Sequence, residues 1–274
     1  LLPAPVAGVT LADKQRTTEK LLRCGATIRE INTVRKHLSR IKGGRLAELT
    51  KATVVTLILS DVLGDDLSAI ASGPTAPDPT TYQDAVAILK RYRIWRALPQ
   101  RVRRHLDSGC QGLASETPKP GSSLFRRVHH YIVGSNAAAV KAVTRAVREA
   151  GLRTLMHTQA VTGEAREAGQ RFGVLAKNIV RVGKPLQRPC CVVAGGETTV
   201  TVTGKGKGGR AQEFAAAAAL EIAGLARVWV VAIGTDGTDG PTDAAGAVID
   251  DNTVARAQRL SVDLKGALKH HNTY

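Results

Sequence analysis

Six aspartates of this chain fall in two short glycine-containing stretches. Asp61, Asp65 and Asp66 lie in Ser60-Asp61-Val62-Leu63-Gly64-Asp65-Asp66, and Asp236, Asp239 and Asp243 lie in the run from Gly234 to Asp243. Loop carboxylates are the usual protein ligands of Mg2+, which keeps several waters and bridges to phosphates. Taken one at a time, such aspartates are better read as turn formers and helix caps. As two sets they point to metal binding or substrate contact. The second set is not an EF-hand loop, which needs a Glu at its twelfth position.

Two cationic segments accompany them. In Thr203-Gly204-Lys205-Gly206-Lys207-Gly208-Gly209-Arg210-Ala211-Gln212-Glu213 the glycines at 204, 206 and 209 satisfy G-x-G-x-x-G, a weak signal alone. The segment reads either as a basic hairpin loop or as an anion cradle at a helix N-terminus, with Lys205, Lys207 and Arg210 as its cations. It lacks the Gly-Lys-Ser/Thr of a P-loop. The other segment is Arg35-Lys36-His37-Leu38-Ser39-Arg40-Ile41-Lys42-Gly43-Gly44. Lys36 and Arg40 share a helical face, and Lys42 precedes two glycines. These cations either complement a helix C-terminus or grip a carboxylate or phosphate. His37 alone reads as structural.

Elements must place these loops at strand exits, because open α/β sheets bind ligands outside the carboxyl ends of their strands. The pattern predicts strands at Thr53–Leu59 (buried on both faces), Tyr131–Val133, Cys190–Ala194, Thr198–Thr203 and Val228–Ile233. It predicts helices at Leu11–Arg23, after a Thr27/Glu30 capping box, at Tyr82–Tyr92, after Ser135, and at Thr162–Val182, Gln212–Ala223 and Thr253–Leu260. This alternation predicts an α/β fold with mostly parallel sheets. Ser115–Ser123 reads as a surface loop and Lys184–Pro189 as a domain boundary.

Hydrophobic residues make up 43% of the 274 and aromatics only 3%, so a core exists and must be built from Ala, Val, Leu and Ile. The net charge of +16 is spread along the chain. With so few aromatics for base stacking it fits solvated helix faces and a small anionic substrate better than nucleic acid. No stretch reaches a membrane span. Cys24, Cys110, Cys190 and Cys191 form no CxxC pair and read as reduced thiols of a cytoplasmic protein. The adjacent pairs His129–His130 and His270–His271 are not at metal-ligand spacing. The start, Leu1-Leu2-Pro3, has neither an initiating methionine nor a signal-peptide pattern, and the chain is expected to begin partway through a longer protein.

Several strings together resemble the glycerate 2-kinase family that carries a MOFRL domain. They are Ile31-Asn32-Thr33-Val34-Arg35-Lys36-His37-Leu38-Ser39 with Ile41-Lys42-Gly43-Gly44, then Ser60-Asp61-Val62 with Gly64-Asp65-Asp66, and Ile70-Ala71-Ser72-Gly73-Pro74-Thr75. Next come Gly195-Gly196-Glu197-Thr198, Gly208-Gly209-Arg210 before Gln212-Glu213, and Gly234-Thr235-Asp236-Gly237 with Asp239 through Gly246. The resemblance covers nearly the whole chain, in order. It implies ATP-dependent phosphorylation of D-glycerate to 2-phosphoglycerate with Mg2+. It also implies two three-layer α/β/α domains with mostly parallel sheets and the active site in the cleft between them. Residues 1–188 would be the C-terminal part of the family's first domain. Residues 189–274 would be a MOFRL-like domain, incomplete at its C-terminus. The family's Gly-Gly-Arg arginine, here Arg210, is implied as catalytic.

On that basis the expected catalytic residues are Arg210, Asp236 and Lys42. Substrate or phosphate contacts are expected from Lys36, Ser60, Asp61, Ser72, Gly73, Gly196, Glu197, Lys205, Lys207, Gly208 and Gly209, and metal contacts from Asp65, Asp66, Asp239 and Asp243. A homodimer is compatible with the resemblance. Family members also carry a Gly-Gly-Gly-Ser segment before the position of Leu1, a lysine further upstream, and a Thr-Gly-Pro-Thr motif past Tyr274. Ala211 replaces a family asparagine. A second enzyme reading is an NAD(P)H-dependent hydroxypyruvate reductase, a label some family members carry. It needs a dinucleotide turn at Gly204–Gly209 and an acidic ribose partner such as Asp236. A basic nucleic-acid-binding module is the non-enzyme alternative.

Overall fold

The computed structural model describes residues 3–274, so the reading of Leu1 and Leu2 lies outside it. The chain forms two compact units, Leu1–Ser135 and Asn136–Tyr274. The Lys184–Pro189 segment lies inside the second unit.

Unit 1 is mainly helical. Helices α1 (Leu11–Arg23), α2 (Ile28–His37) and the short α3 (Arg45–Glu48) precede strand β1 (Val54–Ser60). Helices α4 (Tyr82–Arg91) and α5 (Gln100–Cys110) precede strand β2 (Val128–Ser135). Helices α1, α2 and α4 each open on a reciprocal capping box, Thr10/Asp13, Thr27/Glu30 and Thr81/Asp84, and each cap contributes about 1 kcal/mol. Their inward stripes meet in one core containing Leu21, Val34, Leu38, Tyr82, Leu89 and Leu106. Strands β1 and β2 pair in parallel, with a register shift after Ile58. Contrary to expectation, β1 is not buried on both faces. Ile58 and Ser60 point inward, while Val55, Leu57 and Leu59 are exposed. Side chains alternate along a strand, and among the described residues of unit 1 nothing covers that second face.

Unit 2 runs α6 (Asn136–Glu149), β3 (Arg153–Met156), β4 (Val161–Glu164), α7 (Ala165–Val182), β5 (Cys190–Val193), β6 (Gly196–Thr199), α8 (Arg210–Ile222), β7 (Trp229–Ile233), β8 (Gly246–Asp250), α9 (Thr253–Arg259) and α10 (Leu264–Lys269). Pairs β3–β5 and β4–β6 are parallel, and β7–β8 is antiparallel. The protein is thus mixed α/β with mostly parallel strand pairing. Helix α8 carries the buried run Ala215–Ala219, which lets its neighbours approach closely.

Several expected bounds shift here. The predicted helix Thr162–Val182 begins as β4, because Val161–Glu164 finds a partner in Gly196–Thr199. The strand expected at Thr198–Thr203 accordingly lies earlier, at Gly196–Thr199. Gly196 lies so close to the Val161 backbone that a Cβ would collide with it.

Candidate active site

In unit 1 two of the family-like strings lock together. The Gly43 N–H donates to the Ser72 carbonyl (3.0 Å), Gly44 N–H to the Gly73 carbonyl (2.8 Å) and Leu46 N–H to the Pro74 carbonyl (3.1 Å). The buried Ser72 hydroxyl donates to Asn32 Oδ1 (2.9 Å). Lys42 Nζ donates to the Ala71 carbonyl (2.7 Å). Ala71, Ser72 and Gly73 have φ of 51°, 62° and 58°. Left-handed backbone costs on the order of 1–3 kcal/mol at each of the two non-glycine positions, and the bonds just named hold it. Burial pushes the Lys42 ammonium below its usual pKa, and Arg35 adds to the shift.

Lys36 has an internal partner. It ion-pairs with Asp78 (3.2 Å), and both side chains are almost inaccessible. Asp78 also accepts from the Thr80 and Thr117 hydroxyls (2.7 and 3.0 Å). Nearby, fully buried His37 lies between two acceptors, with Nδ1 2.7 Å from the Thr33 carbonyl and Nε2 2.9 Å from Glu116 Oε1. Partial burial pushes the Glu116 carboxyl up. Hydrogen bonds from His37, Thr117 N–H and Tyr82 N–H outweigh that and hold it at about 2. Glu116 and buried Thr117 belong to the segment expected as a surface loop. The opening carboxylates lie on a separate turn. Asp61 is exposed, Asp65 takes φ 53°, and Asp66 accepts from Ser68 N–H (2.9 Å). Partial burial raises Asp66, but the Ser68 bonds together with Arg29 and Lys36 bring it below its usual range. The Ser60 hydroxyl donates to the Val62 carbonyl (3.3 Å).

In unit 2 the basic glycine loop meets the second aspartate loop. Asp239 is 2% exposed. Its two carboxylate oxygens accept from the N–H groups of Ala211 (3.0 Å) and Gln212 (2.8 Å), the first turn of α8. Gly209 leaves the room this requires, since a Cβ there would overlap the Asp239 carboxylate. The role the structure shows for Asp239 is therefore a remote helix cap. The same contact occupies the helix N-terminus that was expected to cradle an anion. Gly206 and Gly208 pack on His271 and Thr273, so the glycines serve close backbone approach. Arg210 is half exposed and donates to Glu197 (2.8 Å). Lys205 is exposed, and Lys207 lies over the Tyr274 ring at 4.0 Å. Asp236 and Asp243 are exposed, with Asp243 accepting from the Tyr274 hydroxyl.

Behind this loop, buried Glu213 accepts from His271 Nδ1 (2.5 Å), and Arg166 and Thr203 flank the imidazole at 3.2 Å. Sequence spacing gave no sign of this network, nor of the Asn32, Asp78 and Glu116 contacts, because each joins residues far apart in the chain.

Among the described residues no three His, Cys, Asp or Glu side chains converge as a metal site. A cage made by protein alone does not fit. Mg2+ that keeps its waters and takes one or two carboxylates beside substrate phosphates does fit, with exposed Asp236 and Asp243 the available oxygens. No helix among the described residues is long and apolar enough to cross a membrane.

Residues 1–107 match a domain of unknown function (DUF4147), and residues 190–274 match the MOFRL family. The chain is 45% identical to a glycerate 2-kinase of Pyrococcus horikoshii, over all of this chain and 62% of that protein. It is 41% identical to a putative hydroxypyruvate reductase of Agrobacterium vitis, over all of this chain and 69% of that protein. A crystal structure of glycerate kinase from Thermotoga maritima superposes with a TM-score of 0.88 at 41% identity, covering 98% of this chain and 62% of that one. The chain thus spans about three fifths of the length of its kinase relatives, and by these likenesses it belongs to the glycerate kinase family.

Proposed function

We propose that this chain serves an ATP-dependent phosphorylation of D-glycerate at its 2-hydroxyl, giving 2-phosphoglycerate, in the cytoplasm. Residues 1–188 are assigned to the kinase domain and 189–274 to the MOFRL-like domain. The observation that carries the reading is the meeting of the Gly208-Gly209-Arg210 loop with the Asp236–Asp243 loop. That contact leaves Arg210, Lys205, Lys207 and Asp236 exposed around one packed backbone junction.

Phosphoryl transfer asks for positioning and charge neutralisation rather than covalent chemistry. Arg210, steered by Glu197, meets the transferring phosphoryl group or the glycerate carboxylate. Lys205 and Lys207 face the phosphate tail, and Asp236 orients the attacking hydroxyl. Lys42 supplies positive charge in unit 1 on the rigid turn formed by Ser72 and Gly73. Asp236 and Asp243 are the residues that would hold a nucleotide-bound Mg2+, which would supply neutralisation of phosphate charge. Asp61, Asp65 and Asp66 keep a lesser role at the rim of unit 1.

The reductase reading finds no support at Gly204–Gly209. A dinucleotide turn needs an open helix N-terminus for its pyrophosphate, and Asp239 takes that position. The test is a pair of coupled assays. ADP release with D-glycerate is expected, without NADH loss with hydroxypyruvate. NADH loss without ADP release would reverse the assignment.

A further inference from the structure

The basic glycine loop takes its shape from a second stretch of unit 2. Residues 270–274 follow α10, whose Leu268 packs on Ala216 and Ala217 of α8. Gly204, Gly206 and Gly208 each face that stretch. A Cβ would stand 3.1 Å from the His270 carbonyl oxygen at Gly204, 2.2 Å from it at Gly206, and 2.3 Å from the Thr273 hydroxyl at Gly208. Alternate residues share one side of an extended chain, so the glycines lie against the stretch and leave Lys205 and Lys207, between them, exposed. Among the described residues, the backbone hydrogen bonds of positions 204–208 go to the same stretch. Lys207 N–H donates to Asn272 Oδ1 (3.1 Å), and the Lys207 carbonyl accepts from Tyr274 N–H (3.0 Å). Lys207 Nζ lies 4.0 Å from the centre of the Tyr274 ring, whose hydroxyl donates to Asp243.

One residue anchors the stretch. Buried His271 has φ 55°, a left-handed backbone that a residue with a side chain adopts only at a cost. Its Nδ1 lies 2.5 Å from Glu213 Oε1 and 3.2 Å from Arg166 Nη2, and its Nε2 lies 3.2 Å from the Thr203 hydroxyl. Thr203 leads into the loop, and Glu213 stands in the first turn of α8, which leaves it. The imidazole therefore touches both ends of the loop. A buried charged pair is often no more stabilising than apolar side chains of similar size, so packing alone does not call for one here. Holding both loop ends in one geometry does.

We propose that His271, held by Glu213, is a positioning residue that fixes the loop over positions 203–209 so that Lys205 and Lys207 meet a phosphate group. The phosphate contact rests on the kinase reading, whereas the anchoring of the loop does not.

Hydrogen exchange read by mass spectrometry, with calorimetric titration by ADP, tests this on the unmodified chain, His271→Leu, His271→Asn and Tyr274→Ala. Leucine fills similar space and bonds to neither Glu213 nor Thr203. Asparagine keeps an amide donor and tolerates left-handed backbone. His271→Leu should speed exchange at positions 204–208 by about tenfold or more, as local opening does, while exchange at positions 215–219 of α8 stays unchanged. Its affinity for ADP should fall by about tenfold, the scale of a lost charge-assisted contact. His271→Asn should stay within a few-fold of the unmodified chain in both measurements. Tyr274 is more than half exposed, so Tyr274→Ala leaves the buried network whole. It should loosen the loop in the same direction, and it carries the test if His271→Leu does not fold. Unchanged exchange at 204–208, or a rise shared equally by 215–219, would overturn the anchoring. Faster loop exchange with unchanged ADP affinity would overturn the positioning role. If the unmodified chain binds no ADP, the kinase reading fails at this loop, and the exchange pattern still decides the anchoring.

Discussion

Arg210 and Lys14 show how differently two cations are held. Arg210 stands half exposed with Glu197 at 2.8 Å, an arrangement that aims the guanidinium while a ligand can still compete for it. If it stabilises developing charge, Arg210→Ala should lower kcat/KM by on the order of 10²–10⁴. Arg210→Lys should recover part of that loss. A change below a few-fold in steady-state kinetics would remove Arg210 from the chemistry. Lys14 is burdened by its own burial. Its folded pKa of about 8 lies below the ordinary 10.5, so between those values the unfolded chain binds more protons than the folded one. This group's contribution to stability is therefore full above 10.5 and falls away as pH drops through 8. Lys14→Met should stabilise the chain at pH 7 and have no effect near pH 10.5. Urea denaturation at the two pH values checks this. Burial is the main cause of that shift, with Lys42 and Arg35 pushing in the same direction.

At the scale of elements, loops far apart in sequence act as structural pins. Asp239 caps α8 from a loop 27 residues downstream of Gln212. Asp239→Ala should destabilise the protein by about 1–2 kcal/mol, as loss of an N-cap does, with Asp239→Asn retaining much of it. Equal denaturation midpoints for all three proteins would contradict the capping role. Glu116 pins α2 to the start of α4. Its carboxyl, held at about 2 rather than 4.5, contributes stability that is fully present above pH 4.5 and lost as pH falls through 2. Glu116→Gln should therefore cost stability at pH 6 and very little near pH 2, which acid titration of the unfolding midpoint reads directly. Neither pin was legible in the sequence. The local signals were legible, and the Thr27/Glu30 box, the bounds of α1 and the start of α4 stand as read, with α4 ending one residue earlier, at Arg91. Helix α5 escaped because its apolar stripe is only Val102, Leu106 and Gly109 amid charged residues. Strand β4 read as helix because its pairing with Gly196–Thr199 is non-local. The glycines at 204–209 read as a phosphate cradle because spacing records where glycine is needed and says nothing of which neighbour comes close.

Over the whole molecule, charge and exposed apolar surface pull in opposite directions. The excess of 39 Lys and Arg over 23 Asp and Glu keeps copies apart. Yet Val55, Leu57 and Leu59 on β1 and Trp229, Val231 and Ile233 on β7 stand more than half exposed. Contiguous apolar strand faces of this kind drive association. The repulsion is long-ranged and screened by salt, with a Debye length of about 10 Å at 0.1 M and about 3 Å at 1 M, whereas the apolar attraction is not weakened by salt. Self-association should therefore grow as sodium chloride is raised from roughly 0.05 to 1 M, seen as a rising mean mass in light scattering. Leu57→Lys with Val231→Lys should abolish the rise, since each places a charge in the centre of an apolar face. The affinity for ADP should move the other way and weaken with salt, because an anionic ligand is drawn by the same field that separates the copies. A mean mass independent of salt, with the double variant indistinguishable from the parent, would show that charge repulsion does not hold these faces apart.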